Sequence, residues 1–220
     1  MTAAEFLTTL WALLLALGRY NVTLTALGIA VALPIGSLLA VGRLSPRRWI
    51  YYGTTAYVNV LRSSPLLMVL FWTYYSAPML VGANVSAFYA ALIALSAFEA
   101  AYFAEFIRTG LQSIPRDQVL AALATGLRPW QVSAFVVWPQ AVRRVMPSLL
   151  TQSIIAFQDS TLASIIGVRE VVSMATIINA RQVRPVWLYS MLAVAYLVLC
   201  FGLSRCVRRV ERRIAVTLSA

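Results

Sequence analysis

Apolar positions along the chain fall into long uninterrupted runs. They show neither the alternation of a half-buried strand nor the narrow stripe of a soluble helix. A bilayer core takes about 20 apolar residues per helix. Five segments reach that length: 20–41, 54–79, 86–107, 145–166 and 186–204. The first and last carry no charge, the second holds Arg62, the third Glu99 and Glu105, and the fourth Asp159. A shorter run, 7–17, lacks a basic leader and carries Glu5. It reads as part of an N-terminal interfacial segment, 1–19, and not as a cleaved signal peptide. The pattern predicts an all-α polytopic membrane protein with a permease domain over 20–204 and a basic tail over 205–220.

The stretch 118–139 is ambiguous, because Arg128, Pro129 and Gln131 divide it into two short apolar runs. Charge decides its side. If it does not cross, Arg43, Arg47, Arg48, Arg108, Arg116, Arg128, Arg143 and Arg144 share a side with the C-terminal group Arg205, Arg208, Arg209, Arg212 and Arg213. The opposite side then holds only Arg19, Arg169, Arg181 and Arg184. Cytoplasmic loops carry the excess of basic residues. Five spans therefore place the N-terminus outside, and the C-terminus and the loop 110–143 in the cytoplasm. That loop is longer than most connections. Gly126 can end one short helix and Pro129 can open the next. Apolar faces on such a helix pair read as a docking surface for a partner, the alternative being an interfacial re-entrant element.

Composition agrees. Hydrophobic residues make up 61% of the chain and charged residues 11%, against about 25% charged in ordinary soluble domains. Every basic residue is arginine, and the net charge is +11. These arginines punctuate apolar runs, which fits membrane loops and does not fit a nucleic-acid-binding face. Histidine is absent, so histidine triads, histidine metal sites and histidine proton switches are excluded. No phosphate-binding glycine loop, zinc spacing or nucleophile–base pair occurs. The chain carries no sign of a cofactor, a metal or an ATPase of its own. Cys200 and Cys206 lie six residues apart; on one helix that is roughly 9 Å of rise, too far for a disulfide.

Charges inside spans cost about 2.5–3.5 kcal/mol each on insertion scales, so each needs a reason. Arg62, close before Pro65, either meets a substrate carboxylate through its planar fork or pairs with Glu99 or Asp159. Glu99 and Glu105 are six apart and project about 120° from one another, so they serve different purposes. Glu105 is placed to pair with Arg108 at i,i+3, while Glu99 neutralises Arg62 or lines the pathway. Gln158, Asp159, Ser160 and Thr161 form a polar cluster within span four. It reads as a substrate path, or as a buried polar contact between helices. Asp159 suits an α-ammonium group. Tyr51, Tyr52, Trp72, Tyr74, Tyr75, Trp187 and Tyr189 suit aromatic belts.

Several blocks resemble the polar amino acid permeases of bacterial ABC importers. Ala121-Ala122-Leu123-Ala124-Thr125-Gly126-Leu127, followed by Val137-Trp138-Pro139-Gln140-Ala141, is similar to that family's cytoplasmic coupling loop. Ala101-Tyr102-Phe103-Ala104-Glu105, Arg108-Thr109-Gly110-Leu111-Gln112-Ser113-Ile114-Pro115, Arg62-Ser63-Ser64-Pro65-Leu66 and Gln158-Asp159-Ser160-Thr161-Leu162 follow in family order and spacing. Ala56-Tyr57-Val58-Asn59-Val60, Phe98-Glu99-Ala100-Ala101-Tyr102 and Phe157-Gln158-Asp159 look like the glutamate/aspartate branch. The departures are Leu120 in place of the loop's glutamate, Asp117 in place of a glycine, and Gln158 where many relatives carry lysine.

The resemblance implies a type I ABC importer permease fold in the bacterial inner membrane, surrounded by lipid. It implies a second permease chain, identical or a sister, and cytoplasmic ATPase subunits. An extracytoplasmic binding protein would deliver the substrate, glutamate or aspartate first, with glutamine or basic amino acids as alternatives. The implied pathway residues are Arg62, Glu99, Gln158, Asp159, Ser160 and Thr161; the implied ATPase-coupling residues are Ala121, Ala122, Gly126, Leu127 and Arg128. An ion-coupled secondary transporter using Glu99 or Asp159, and a non-transporting assembly subunit of the same fold, are the rival readings.

Overall fold

The computed structural model describes residues 3–82 and 84–219. Every element among them is helical. Three helices are long and apolar enough to cross a bilayer, Glu5–Gly42, Ala87–Gln112 and Pro185–Arg212. Two bent pairs, Arg48–Ser63 with Leu66–Val81 and Pro129–Ile166 with Val171–Gln182, bring the crossings to five when each pair counts as one span.

The first crossing corrects the sequence expectation. Residues 1–19 do not form a separate interfacial helix. α1 (Ala3–Ala16) runs through a π turn (Leu17–Val22) into α2 (Thr23–Gly42). Within this rod, Glu5–Gly42 is 38 residues long, or about 57 Å. Tertiary contact explains the continuity. Leu13 and Ala16 are buried against Val171, Ala175, Leu188 and Leu192, so the face expected to lie on lipid is covered by protein.

The second apolar segment is two helices. α3 (Arg48–Ser63) and α4 (Leu66–Val81) meet at 109°. Ser64 is extended (φ −94°, ψ 143°) because the ring of Pro65 disfavours helical backbone at the preceding residue. α3 packs on one half of α5 (Ala87–Gln112), with Val58 against Ala101 and Ala104. α4 packs on the other half, with Leu66 and Leu70 near Ala91 and Leu95.

α2 and α5 form the centre of the bundle. Gly28, Ala32, Gly36 and Ala40 lie one turn apart on α2, and all four are buried. Such a small-residue stripe lets two backbones approach closely. A Cβ added at Gly36 would sit 2.8 Å from Phe103 Cβ and 2.9 Å from the Ala100 carbonyl oxygen.

Beyond α5 the chain forms α6 (Arg116–Ala124), a turn, α7 (Pro129–Val132), a π turn (Ser133–Val137) and α8 (Trp138–Asp159). α6 has nine residues, about 14 Å, too short to cross a bilayer. A 3-10 turn (Ser160–Ile166) and Gly167 lead to α9 (Val171–Gln182). α10 (Pro185–Ser219) carries the last apolar run straight into the basic segment, so the tail expected over 205–220 is a continuation of the span.

Candidate functional site

The polar residues of the spans sort into three groups, and the sorting departs from the sequence expectation at Arg62. Its partner is neither Glu99 nor Asp159. The Glu105 carboxylate accepts hydrogen bonds from Arg43 and Arg108, and Arg62 Nη1 lies 3.2 Å from it. Position along the bundle explains this. Arg62 is in the last turn of α3, which packs on α5 around Ala101 and Ala104. There the guanidinium meets the 102 and 105 side chains, with Tyr102 5.4 Å below its carbon. Glu99 faces another helix. The expected Glu105–Arg108 pair is present; Arg43 and Arg62 join it, so three guanidiniums share one carboxylate. Arg43 is the most buried of the three and Arg62 the most open, with side chains 11% and 36% exposed.

Glu99 is fully buried on α5 and accepts a 3.0 Å bond from Gln152 Nε2 on α8. Its Oε1 has no donor among the described residues. An unpartnered buried oxygen is costly, and marks Glu99 as a place where a further donor is required. Gln152 carried no signal in the sequence beyond being a glutamine in an apolar run.

The 158–161 cluster divides at the point where α8 tightens into the 3-10 turn. Gln158 is exposed, Asp159 and Thr161 half-buried, and Ser160 buried. Thr161 Oγ1 donates to the Gln158 carbonyl. Ser160 Oγ accepts from Asn21 Nδ2 at 3.0 Å. Asn21 also donates to Glu170 Oε2 at 3.1 Å and accepts from Val171 N. Glu170 in turn caps α9 through Ser173 N. The π turn at Leu17–Val22 thus carries Asn21 as a buried link between the first span, the 3-10 turn and α9. Asn21 and Glu170 were not singled out by sequence reasoning. A lone asparagine at the edge of an apolar run and an acid in a loop were the only signals. Thus Arg62, Glu99 and Ser160 are each held by protein partners, while Gln158, Asp159 and Thr161 present more open polar surface.

The second feature lies at the end of the bundle. α6 has no buried residue. Leu120, Trp130 and Phe135 are 61%, 60% and 66% exposed. Ala121 is exposed, Ala122 and Leu127 are half-buried, and Arg128 is exposed. Gly126 takes φ +86°, left-handed backbone that side chains with a Cβ resist. The Arg128 amide donates to Gln131 Oε1 at 2.8 Å, holding the start of α7. Buried Ile114 and Val132 anchor the helix pair, and Arg144 Nη1 bonds the Ser113 carbonyl at 2.6 Å, tying the end of α5 to α8. The glycine stop and proline start expected at 126 and 129 are therefore the turn between α6 and α7.

Comparison with known proteins gives these features a context. The family model described as binding-protein-dependent transport system inner membrane component matches residues 32–216. The chain is 38% identical over 202 residues to the glutamate/aspartate import permease protein GltK of Escherichia coli O6:H1, with 89% of each chain covered. It is 36% identical over 161 residues to the probable glutamine ABC transporter permease protein GlnP of Bacillus subtilis, covering 71% of this chain and 72% of that one. A chain from the crystal structure of an amino acid ABC transporter with histidines superposes with a TM-score of 0.88 at 28% identity, covering 97% of this chain and 100% of its own. A chain of the inward-facing MetNI methionine ABC transporter shares the fold at TM-score 0.70 and 20% identity, covering 97% and 99%. An all-helical bundle of broken spans, with an exposed apolar helix pair at one end, is the architecture these permeases share. The chain belongs to the binding-protein-dependent transport system inner membrane component family and has the fold of an ABC importer permease.

Proposed function

We propose that this chain is the membrane-spanning subunit of an ATP-driven importer of acidic amino acids, glutamate and aspartate. The observation that carries the substrate reading is the arginine excess around Glu105: three guanidiniums against one carboxylate. The similarity to GltK supports it. Arg62, the most open of the three, offers its fork to a substrate carboxylate; Asp159 and the unpartnered Glu99 oxygen offer acceptors to an α-ammonium group. Gln158, Ser160 and Thr161 complete the polar path.

Two permease chains enclose the pathway. ATPase subunits grip the exposed apolar surface of α6 and α7, with Ala121, Ala122, Gly126, Leu127 and Arg128 at the contact. Leu120, where the family's loop has glutamate, supplies apolar contact instead. The basic ends face the cytoplasm and the N-terminus lies outside. Closure of the ATPases moves the helix pair, and rigid rotation of the spans exposes the site alternately to each side. An extracytoplasmic binding protein delivers the substrate.

The test is uptake into proteoliposomes holding the assembled transporter, with the binding protein outside and ATP inside. Glutamate and aspartate are expected to enter with higher kcat/KM than glutamine or arginine. A preference for glutamine, which the similarity to GlnP favours as the second reading, overturns the acidic substrate and leaves the importer standing. Uptake by this chain alone under an ion gradient overturns the importer.

A further inference from the structure

We propose that the chain holds one anionic glycerophospholipid in a groove between the first, fourth and fifth spans. The acyl chain lies along the groove and the phosphate sits on Arg143 and Arg209. The groove has a volume of about 570 Å³. Ile29, Leu150, Ile154, Leu203 and Val210 are among its walls, with Cys206 at one side. Its two hydroxyl groups are spent internally: Thr25 Oγ1 donates to the Asn21 carbonyl at 2.7 Å and Ser153 Oγ to the Leu149 carbonyl at 2.8 Å. Nothing in the walls attracts water, and the chain's surroundings are hydrocarbon.

Length fits one lipid tail. From Leu199 to Val210 the α10 wall rises about 16 Å, close to half of the ~30 Å hydrocarbon core. A tail from one leaflet fills it without reaching the other.

Charge chooses the headgroup. Arg143 lies seven residues before Leu150, so two turns of α8 bring it back to the groove face. Arg209 precedes Val210 and flanks the same end of α10. Both are exposed, and neither has a hydrogen-bond or ionic partner among the described residues. Arg205 and Arg208 lie against Phe201 on another side of α10. Glu211 sits about 200° around the helix from Arg209, away from the site. Arginines on two walls at the mouth of an apolar groove match a phosphodiester whose tail points inward. Long arginine stems keep their heads at the interface while lying on apolar surface, and basic pockets between spans select anionic lipid.

The test uses the assembled transporter with its ATPase subunits, incubated with dioleoyl phosphatidylglycerol or dioleoyl phosphatidylcholine and read by native mass spectrometry. Each headgroup arginine contributes about fivefold, so phosphatidylglycerol is expected to be retained about 25-fold more tightly. Arg143→Gln with Arg209→Gln brings it down to the phosphatidylcholine level. Ala26→Trp, on the exposed lining of the groove, removes both lipids. Equal retention of the two lipids, or retention of phosphatidylglycerol unchanged by either variant, overturns the proposal. A second readout needs no change in the site. In a Cys200→Ala background, maleimide labelling of Cys206 in nanodiscs should be several-fold slower with phosphatidylglycerol than with phosphatidylcholine. Equal rates overturn the site, and so does a Cys206–Cys206 cross-link between two copies, which places protein in the groove.

Discussion

Replacing Glu105 with glutamine tests whether one carboxylate holds the inner ends of three helices together. The side chain keeps its volume and one acceptor oxygen but loses its charge. Arg43, Arg62 and Arg108 then face one another with no counter-ion. Charge-assisted hydrogen bonds contribute about 1.5–3 kcal/mol each, and Glu105 accepts two, from Arg43 and Arg108. Arg62, 36% exposed, adds at most about 1 kcal/mol as a solvent-screened pair. Arg43, 11% exposed, is left closest to an uncompensated buried charge, the situation that costs about 3–5 kcal/mol when complete. One retained oxygen offsets part of this. The expected loss is about 3 kcal/mol. At roughly 2–4 °C per kcal/mol for a chain of this size, it lowers the melting point by about 6–12 °C. Size-exclusion chromatography of the heated, fluorescently tagged complex reads it. Single replacements Arg43→Gln, Arg108→Gln and Arg62→Gln each leave two partners on the carboxylate, so each costs less than Glu105→Gln, in that descending order of burial. A Glu105→Gln complex as stable as any one arginine variant refutes the shared-carboxylate reasoning. If Arg62 also meets substrate, Arg62→Gln raises the KM for glutamate uptake far beyond its effect on stability, and an unchanged KM restricts Arg62 to the ion cluster.

Four further outcomes follow from the same geometry. Gly126 has left-handed backbone but open space around its Cβ direction, so strain alone matters. Gly126→Asn is expected to couple ATP hydrolysis to uptake nearly normally, Gly126→Ala to lose about 1–2 kcal/mol locally, and Gly126→Val to uncouple; equal uptake by all three removes the turn from the coupling path. Gly36→Ala forces α2 and α5 apart at backbone contacts that cannot swing away, with an expected cost of about 1–3 kcal/mol in thermal unfolding; no shift counts against the tight interface. Gln152→Leu leaves both Glu99 oxygens without a donor and is expected to cost about 1–3 kcal/mol, while Glu99→Leu with Gln152→Leu recovers most of it. Asn21→Leu strips Ser160, Glu170 and Val171 of their shared partner. It is expected to speed hydrogen exchange at the start of α9, and unchanged protection there argues against the link.

Local rules made much of this protein readable before any fold was known. Run length and charge asymmetry mark five apolar segments, because burial in hydrocarbon tolerates few charges in any window of about 20 residues. Pro65 announces the break in the second segment, and Gly126 with Pro129 announces the turn of the exposed helix pair, because both residues act on their own backbone. The i,i+3 pair Glu105–Arg108 is likewise a property of one helix. Tertiary structure alone decided what lies across helices. Arg62 meets Glu105, 43 residues away in the chain, and not Glu99, because the break in the second segment sets how far along α5 its guanidinium reaches. Glu99 turns to Gln152, and Asn21 to Ser160 and Glu170, through relative rotation and depth that hydropathy averages away. The first span's extension to Ala3 is of the same kind: α9 and α10 cover its apolar face, and no pattern within residues 1–19 records their presence.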